Sequence, residues 1–206
     1  MYNMTIYLIR HGETDLNKEH RLQGHSDIEL NDYGRELARI TGQALSTVNF
    51  DYVFTSPLIR AKETAQILVD NQEVKAPIIE DERIKEICFG EFEGLSYSKD
   101  GFTIPDKTFM NFFDKPEEYN IPEKGEGFED VIERTGSFLK ELTENKKYEN
   151  KTILVSTHGC ALKAILANIN NVSIKNFWGK GVHRNCAVSI VNICGGKIEI
   201  EEGKVF

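Results

Sequence analysis

The chain has 206 residues, with 25 Lys and Arg against 33 Asp and Glu for a net charge of −8, and is 40% hydrophobic and 28% charged. These are the proportions of an ordinary globular chain, and they exclude a disordered, fibrous or membrane-spanning one. The acidic balance argues against a nucleic-acid partner, because affinity for a phosphate backbone comes from Lys and Arg displacing counterions, whereas a small anionic substrate needs only a local positive cluster.

The first segment, Met1 to Arg10, has no basic stretch ahead of its apolar run and no small-residue cleavage site, so Thr5 to Ile9 reads as a buried strand and not as a signal peptide. Leu30 to Val48 carries Leu37, Ile40, Ala44, Leu45 and Val48 at helical spacing, with Asn31 as N-cap. Tyr52 to Thr55 is a second strand. Ser56-Pro57 then reads as a cap residue followed by proline in the first helical turn, opening a helix that runs to about Val69. Glu91 to Glu126 breaks this rhythm: Pro105, Pro116 and Pro122 alternate with Phe102, Phe109, Phe112 and Phe113, the composition of either a lid or an insertion with its own apolar cluster. Ile153 to Ser156 is a third strand, turned by His158-Gly159 into a helix over Ala161 to Asn168. Ala187 to Ile193 and Lys197 to Glu201 close the chain as two strands joined at Gly195-Gly196, a hairpin signal. Strands alternating with helices predict an α/β domain whose mostly parallel sheet is covered on both faces. No linker or repeat divides the chain, so one domain over residues 1–206 is expected. The four cysteines, Cys88, Cys160, Cys186 and Cys194, form no CxxC pair and no zinc spacing; reduced thiols and a cytoplasmic location follow as expectations.

Ligands of open α/β sheets bind beyond the carboxyl ends of the strands. The first strand ends in Arg10-His11-Gly12-Glu13-Thr14, the second runs on to Arg60 in the first turn of its helix, and the third ends in Thr157-His158-Gly159. If these strands are neighbours, two arginines and two histidines meet at one sheet edge. Phosphoryl transfer asks for such a cluster: arginine forks stabilise charge on the transferring oxygens, and a neutral imidazole among them can act as nucleophile. HExxH and clustered Cys/His ligands are absent. His25 and Asp27 are near enough to share an ion, but arginines already supply the charge, so no metal and no cofactor are expected. Ser56 reads as a helix cap, and Cys160 as a buried structural thiol. Trp178 and the phenylalanines read as core.

Leu8 to Thr14 with Asn17, Leu22 to Leu30, Thr55 to Ala65, Glu86 to Gly94 and Ser156 to Gly159 together resemble, in order, the motifs of the histidine phosphatase superfamily, the phosphoglycerate mutase-like group. The resemblance spans most of the chain and leaves only the Phe-rich stretch, about 95–125, without a counterpart. It implies a three-layer α/β/α sandwich of phosphoglycerate mutase-like type. It further implies His11 as phosphoacceptor, with Arg10, Arg60, His158 and Gly159 around the phosphate and Asn17 as a further ligand. Glu86 would be the proton donor and then the base, chosen over Glu82, Glu91 and Glu93 because the family places the acid four residues before a glycine, here Gly90. Gln23 and Gly24 would line the substrate side. The activity implied is phosphomonoester hydrolysis on a small phosphorylated metabolite. The alternative is mutase-type phosphoryl transfer, and a distant third a non-catalytic phosphate-ester-binding domain. Mutases of the group carry a longer basic insertion after the Glu-Gly step. Here Leu95 to Gly127 offers mainly Lys99, Lys107, Lys115 and Lys124, no arginine and four phenylalanines, which favours a phosphatase with an apolar pocket wall.

Overall fold

The computed structural model describes residues 3–206. Its elements run β1 (Asn3–Arg10), α1 (Asp15–Lys18), α2 (Asp32–Ala44), β2 (Tyr52–Thr55), α3 (Ile59–Asp70), β3 (Ile78–Glu80), α4 (Asn111–Asp114), α5 (Phe128–Glu144), β4 (Lys151–Thr157), α6 (Gly159–Asn170), β5 (Val188–Cys194) and β6 (Lys197–Lys204). The six strands form one sheet in the order β3-β2-β4-β1-β5-β6. β3, β2, β4 and β1 pair in parallel, and β5 and β6 add an antiparallel pair at the far side.

Alternation along the strands builds the two faces. Met4, Ile6 and Leu8 of β1 join Phe54, Ile153 and Val155 under α5 and α6, whose Phe138, Leu142, Leu162 and Ile165 close that side. Tyr7, Ile9, Val53 and Leu154 point the other way, against Ala38 of α2 and Ala65 and Leu68 of α3. The outcome is a sandwich of helix pair, sheet and helix pair, as expected from the alternation of elements. Among the described residues no helix is long and apolar enough to cross a membrane.

Three local expectations are corrected. α3 begins at Ile59, not at Pro57. Ser56 is buried in the strand-to-helix bend, where its Oγ accepts Leu58 N–H at 3.3 Å, and the next amide, of Ile59, is met by Asp27 Oδ1 at 2.6 Å, from a loop more than thirty residues upstream. α2 stops at Ala44, short of Val48, while Asn31 caps it as expected through Gly34 N–H at 2.8 Å. The 17-residue α5 has no counterpart among the expected elements. Phe128, Val131, Thr135, Phe138 and Leu142 recur there at helical spacing and are buried, but the N-cap is Gly127, whose N–H donates to Asp130 Oδ2 at 2.8 Å, so no Ser, Thr, Asp or Asn marks its start.

The Phe-rich stretch lacks long elements, as read, and its rings are a core of their own. Phe109 and Phe112 are buried and stack at 5.8 Å, and Phe112 meets Phe128 of α5 at 5.1 Å and Trp178 at 5.2 Å. Trp178 Nε1 donates to Phe112 O. This cluster leans on the start of α6 through Cys160, Ala161 and Ala164, beside the carboxyl end of β4.

Candidate active site

β2, β4 and β1 are consecutive in the sheet and parallel, so whatever follows them gathers at one edge. Arg10 ends β1 in register with Thr157 of β4, and His11 N–H donates to Thr157 O at 2.9 Å. His158 is the N-cap residue of α6, and Arg60 lies in the first turn of α3. The rings of His11 and His158 have their centroids 5.1 Å apart. Arg10, His11, Asn17, Gln23, Gly24, Arg60, Glu86 and Gly159 all line one cavity of about 180 Å³. His158 stands behind it, fully buried, with neither ring nitrogen meeting a protein partner.

The tautomer of His11 follows from its neighbour. Nδ1 lies 2.7 Å from Gly12 O. A carbonyl only accepts, so Nδ1 carries the proton and Nε2 keeps its lone pair. Burial, followed by the charges of Arg60 and Arg10, holds His11 well below the ordinary value of 6.5, and burial followed by Arg60 does the same to His158. Both rings are therefore neutral at pH 7.

Arg60 is fully buried and gives Nη1 to Ser26 O and Nη2 to Gly24 O, both at 2.8 Å; its Nε has no partner. Burial lowers its pKa to about 10, which leaves it charged at neutral pH. Arg10 gives Nη1 to His183 O, and its Nε is likewise buried without a partner. Among the described residues no carboxylate lies within ion-pair distance of either guanidinium. The nearest compensation is Glu86, which acts on both through space. A buried Arg60 and a half-buried Arg10, each with an unpartnered Nε and no carboxylate in direct contact, are costly to hold and favour an anion in the cavity beside them.

The loop 24–27 grips Arg60 and is itself braced. Glu93 Oε1 accepts from His25 N–H at 2.8 Å and Phe89 N–H at 3.2 Å, and Oε2 from Ser26 Oγ at 2.6 Å. Gly24 has φ +52°, and a Cβ there would lie 2.2 Å from Glu93 Oε1, so only glycine lets the loop reach the arginine. Asp27 caps α3 one residue before Arg60. His25 and Asp27 thus hold separate partners: His25 Nε2 lies 2.9 Å from Glu86 O, to which it donates.

The Glu86 carboxylate sits on the start of α6, accepting from Cys160 N–H at 3.0 Å and Ala161 N–H at 3.2 Å, and from its own neighbour Ile87 N–H at 3.0 Å. A Cβ on Gly159 would fall 3.0 Å from Val182 Cγ1, 3.5 Å from Glu86 Oε2 and 3.7 Å from Arg10 Nε, so a side chain there would enter the site. Of the four acidic candidates only Glu86 lines the cavity. Glu82 pairs with Lys85, Glu91 is exposed, and Glu93 braces the loop. Cys160 is buried, with its thiol pKa pushed well up by burial and by Glu86, an inert structural thiol as read.

Several lining residues carry no motif in the sequence. Arg21 reaches the cavity beside Phe89, Tyr97, Phe112, Phe113 and Trp178, which make an aromatic wall. Trp178 and the phenylalanines are therefore wall as well as core. Arg134 of α5 donates to Glu86 O at 2.9 Å and Lys85 O at 2.6 Å, fixing the main chain under the acid. Lys99, Lys107, Lys115 and Lys124 do not line this cavity. The helical spacing of α5 would have led to Arg134; Arg21 and Tyr97 have no such signal.

The histidine phosphatase superfamily (branch 1) profile matches residues 6–204. A Bacillus subtilis protein named phosphatase PhoE is 33% identical over 199 residues, covering 97% of this chain and 90% of its own. A 2,3-bisphosphoglycerate-dependent phosphoglycerate mutase 2 of Gloeobacter violaceus is 30% identical over 169 residues, 82% of this chain and 76% of its own. The solved structure of Bacillus stearothermophilus YhfR superposes with a TM-score of 0.87 at 33% identity, over 98% of both chains.

Proposed function

The chain belongs to the histidine phosphatase superfamily (branch 1), and from that premise we propose that it is a metal-independent phosphomonoester hydrolase, with His11 as phosphoryl acceptor and Glu86 as general acid and base. The observation that carries this reading is the pair of arginines, Arg60 buried and Arg10 half-buried, each with a buried, unpartnered Nε and no carboxylate in direct contact, beside a neutral His11 with a free Nε2 lone pair. A binding domain has no need of that nucleophile, which is why the non-catalytic reading ranks last.

In the proposed course, His11 Nε2 attacks phosphorus and forms a P–N bond. The P–O ester bond breaks, and its electron pair leaves with the alcohol oxygen, which takes a proton from the Glu86 carboxylic acid. The Glu86 carboxylate then accepts a proton from water as the water oxygen attacks phosphorus. The P–N bond returns its electrons to Nε2, and inorganic phosphate is released. Arg10 and Arg60 stabilise charge on the equatorial oxygens, with Asn17 and the neutral His158 adding hydrogen bonds, so the charge a metal would supply is already in place in the two arginines.

Mutase-type transfer uses the same core, and a mutase is among the relatives. The cavity wall favours the hydrolase. The four lysines of the 95–125 segment lie outside it, and the wall is Phe89, Tyr97, Phe112, Phe113 and Trp178 with Arg21 as the one added cation, which suits a small phosphorylated metabolite with a less charged alcohol part than a bisphosphoglycerate.

The test is phosphate release from a panel of phosphomonoesters in EDTA, including 3-phosphoglycerate with and without 2,3-bisphosphoglycerate. Release by the wild-type chain that His11→Ala abolishes is the expected result. Interconversion of 3- and 2-phosphoglycerate without release would instead establish the mutase, and binding without turnover the non-catalytic domain.

A further inference from the structure

Between α6 and β5 the chain returns across the end of the sheet, and residues 183–186 close over the Arg10–His11 step. Cys186 N–H donates to Arg10 O at 3.0 Å, and His183 O receives Arg10 Nη1. Between them Asn185 turns inward: its Nδ2 is 3.0 Å from His11 O and 3.3 Å from Asn17 Oδ1.

The sense of both amides follows from groups whose roles are fixed. The backbone N–H of Thr14 only donates, so the Asn17 atom 3.2 Å from it is the oxygen. The Asn185 atom that faces this oxygen and the His11 carbonyl together must then be its NH₂. Asn17 Oδ1 thus receives Thr14 N–H and Asn185 Nδ2, while the single hydroxyl hydrogen of Thr14, 3.3 Å from Asn17 Oδ1, has a shorter acceptor in Gln23 Oε1 at 2.9 Å. Its own Nδ2 is left as a donor for the cavity that Asn17 lines.

We propose that Asn185 is a positioning residue for phosphoryl transfer, fixing the Asn17 amide with its donor toward the phosphoryl oxygens while holding the main chain at His11. This rests on the hydrolase reading above. Without Asn185, Asn17 Oδ1 keeps the Thr14 N–H and a hydroxyl whose hydrogen Gln23 Oε1 also claims, and His11 O keeps only the longer contact from Cys186 N–H at 3.4 Å.

The experiment is a double-mutant cycle over Asn185→Ala and Asn17→Ala, read as kcat and KM for p-nitrophenyl phosphate, with thermal unfolding of each variant as a fold control. Asn185→Ala is expected to lower kcat/KM roughly tenfold, about the worth of one or two hydrogen bonds. Most of that loss should vanish in the Asn17→Ala background, because a residue that acts through Asn17 has little left to act on. The same fold-loss in both backgrounds, or no loss in either, overturns the proposal. Asn185→Asp keeps the shape but removes the donor and sets a carboxylate against two oxygens. It should be at least as impaired, and a fully active Asp variant also overturns the proposal, including where the Ala variant fails to fold. If the wild-type chain hydrolyses nothing, the hydrolase reading falls by itself. The cycle is then read on orthovanadate binding by calorimetry, where coupling between Asn17 and Asn185 still decides.

Discussion

At His11, burial and the charges of Arg60 and Arg10 act in one direction, since each disfavours a proton on the ring, and the bond to Gly12 O only partly opposes them. A nucleophile must be unprotonated, so the ring stays competent as the medium turns acidic. The acid limb of kcat/KM against pH should therefore fall with a midpoint well below 6.5. A limb centred at or above 6.5 would show that the buried His11 is not the group that titrates. The residues behind this behaviour were legible in the sequence: Arg10, His11, Arg60 and His158 each follow a strand that could be recognised, and Glu86 fits a family spacing. Their states were not legible. The tautomer depends on a carbonyl orientation, and the charge on His11 depends first on its own burial and then on the charges of Arg60 and Arg10. Neither is a property of residue type or spacing.

The elements show a second kind of dependence, in which a loop from one part of the chain completes a helix from another. Asp27 caps α3 while Gly24 O and Ser26 O hold the arginine that α3 carries, and Glu93 ties the loop down. Glu93→Ala removes the acceptor of two amides and a hydroxyl, and Glu93 does not itself line the cavity. It is expected to cost about 1–3 kcal/mol of stability in urea denaturation, and to lower kcat/KM because Arg60 is no longer held. Undiminished activity at reduced stability would mean that Arg60 keeps its place by packing alone. Such long-range caps explain the misread start of α3: Ser56-Pro57 has the local signature of a helix opening, but Asp27 supplies the acceptor. α5 escaped for the opposite reason, because its spacing is clear while its glycine cap gives no signal. The composition of the Phe-rich segment fits either a lid or an insertion. Its buried, stacked rings form an apolar cluster of their own, and nothing in their composition said which cavity they would wall.

Across the whole molecule, four of the five histidines, His11, His25, His158 and His183, have pKa values lowered from 6.5, in each case first by burial. Native histidines stay neutral where unfolded ones take up protons. The stabilising effect of this difference is complete above the unfolded value, near 6.5, and is lost progressively as pH falls through it and toward the native values. Each such group contributes up to about 1.4 kcal/mol per pH unit. Stability in urea should thus decline from pH 7 to pH 5.5, and less steeply in His158→Ala than in the wild-type chain. A flat dependence would count against neutral burial of these rings. The relief of net negative charge on acidification works the other way, but its acidic groups are spread over the surface and screened by salt. The layered architecture was readable from the alternation of strands and helices. The gathering of two arginines and two histidines at one sheet edge depended on β2, β4 and β1 being neighbours, a matter of strand order that no single segment records.

The two guanidinium groups without carboxylates have a consequence for the end of the reaction as well as its beginning. A pocket that draws an ester by its negative charge draws free orthophosphate by the same charge, because the product carries it away from no other group. On the proposed reaction, product is expected to compete for the same donors and to inhibit. Orthophosphate that binds the folded chain and not the unfolded one is then expected to raise the melting temperature, by an amount set by its concentration relative to its dissociation constant. The features that make this site receptive thus make the folded chain register how much phosphate surrounds it.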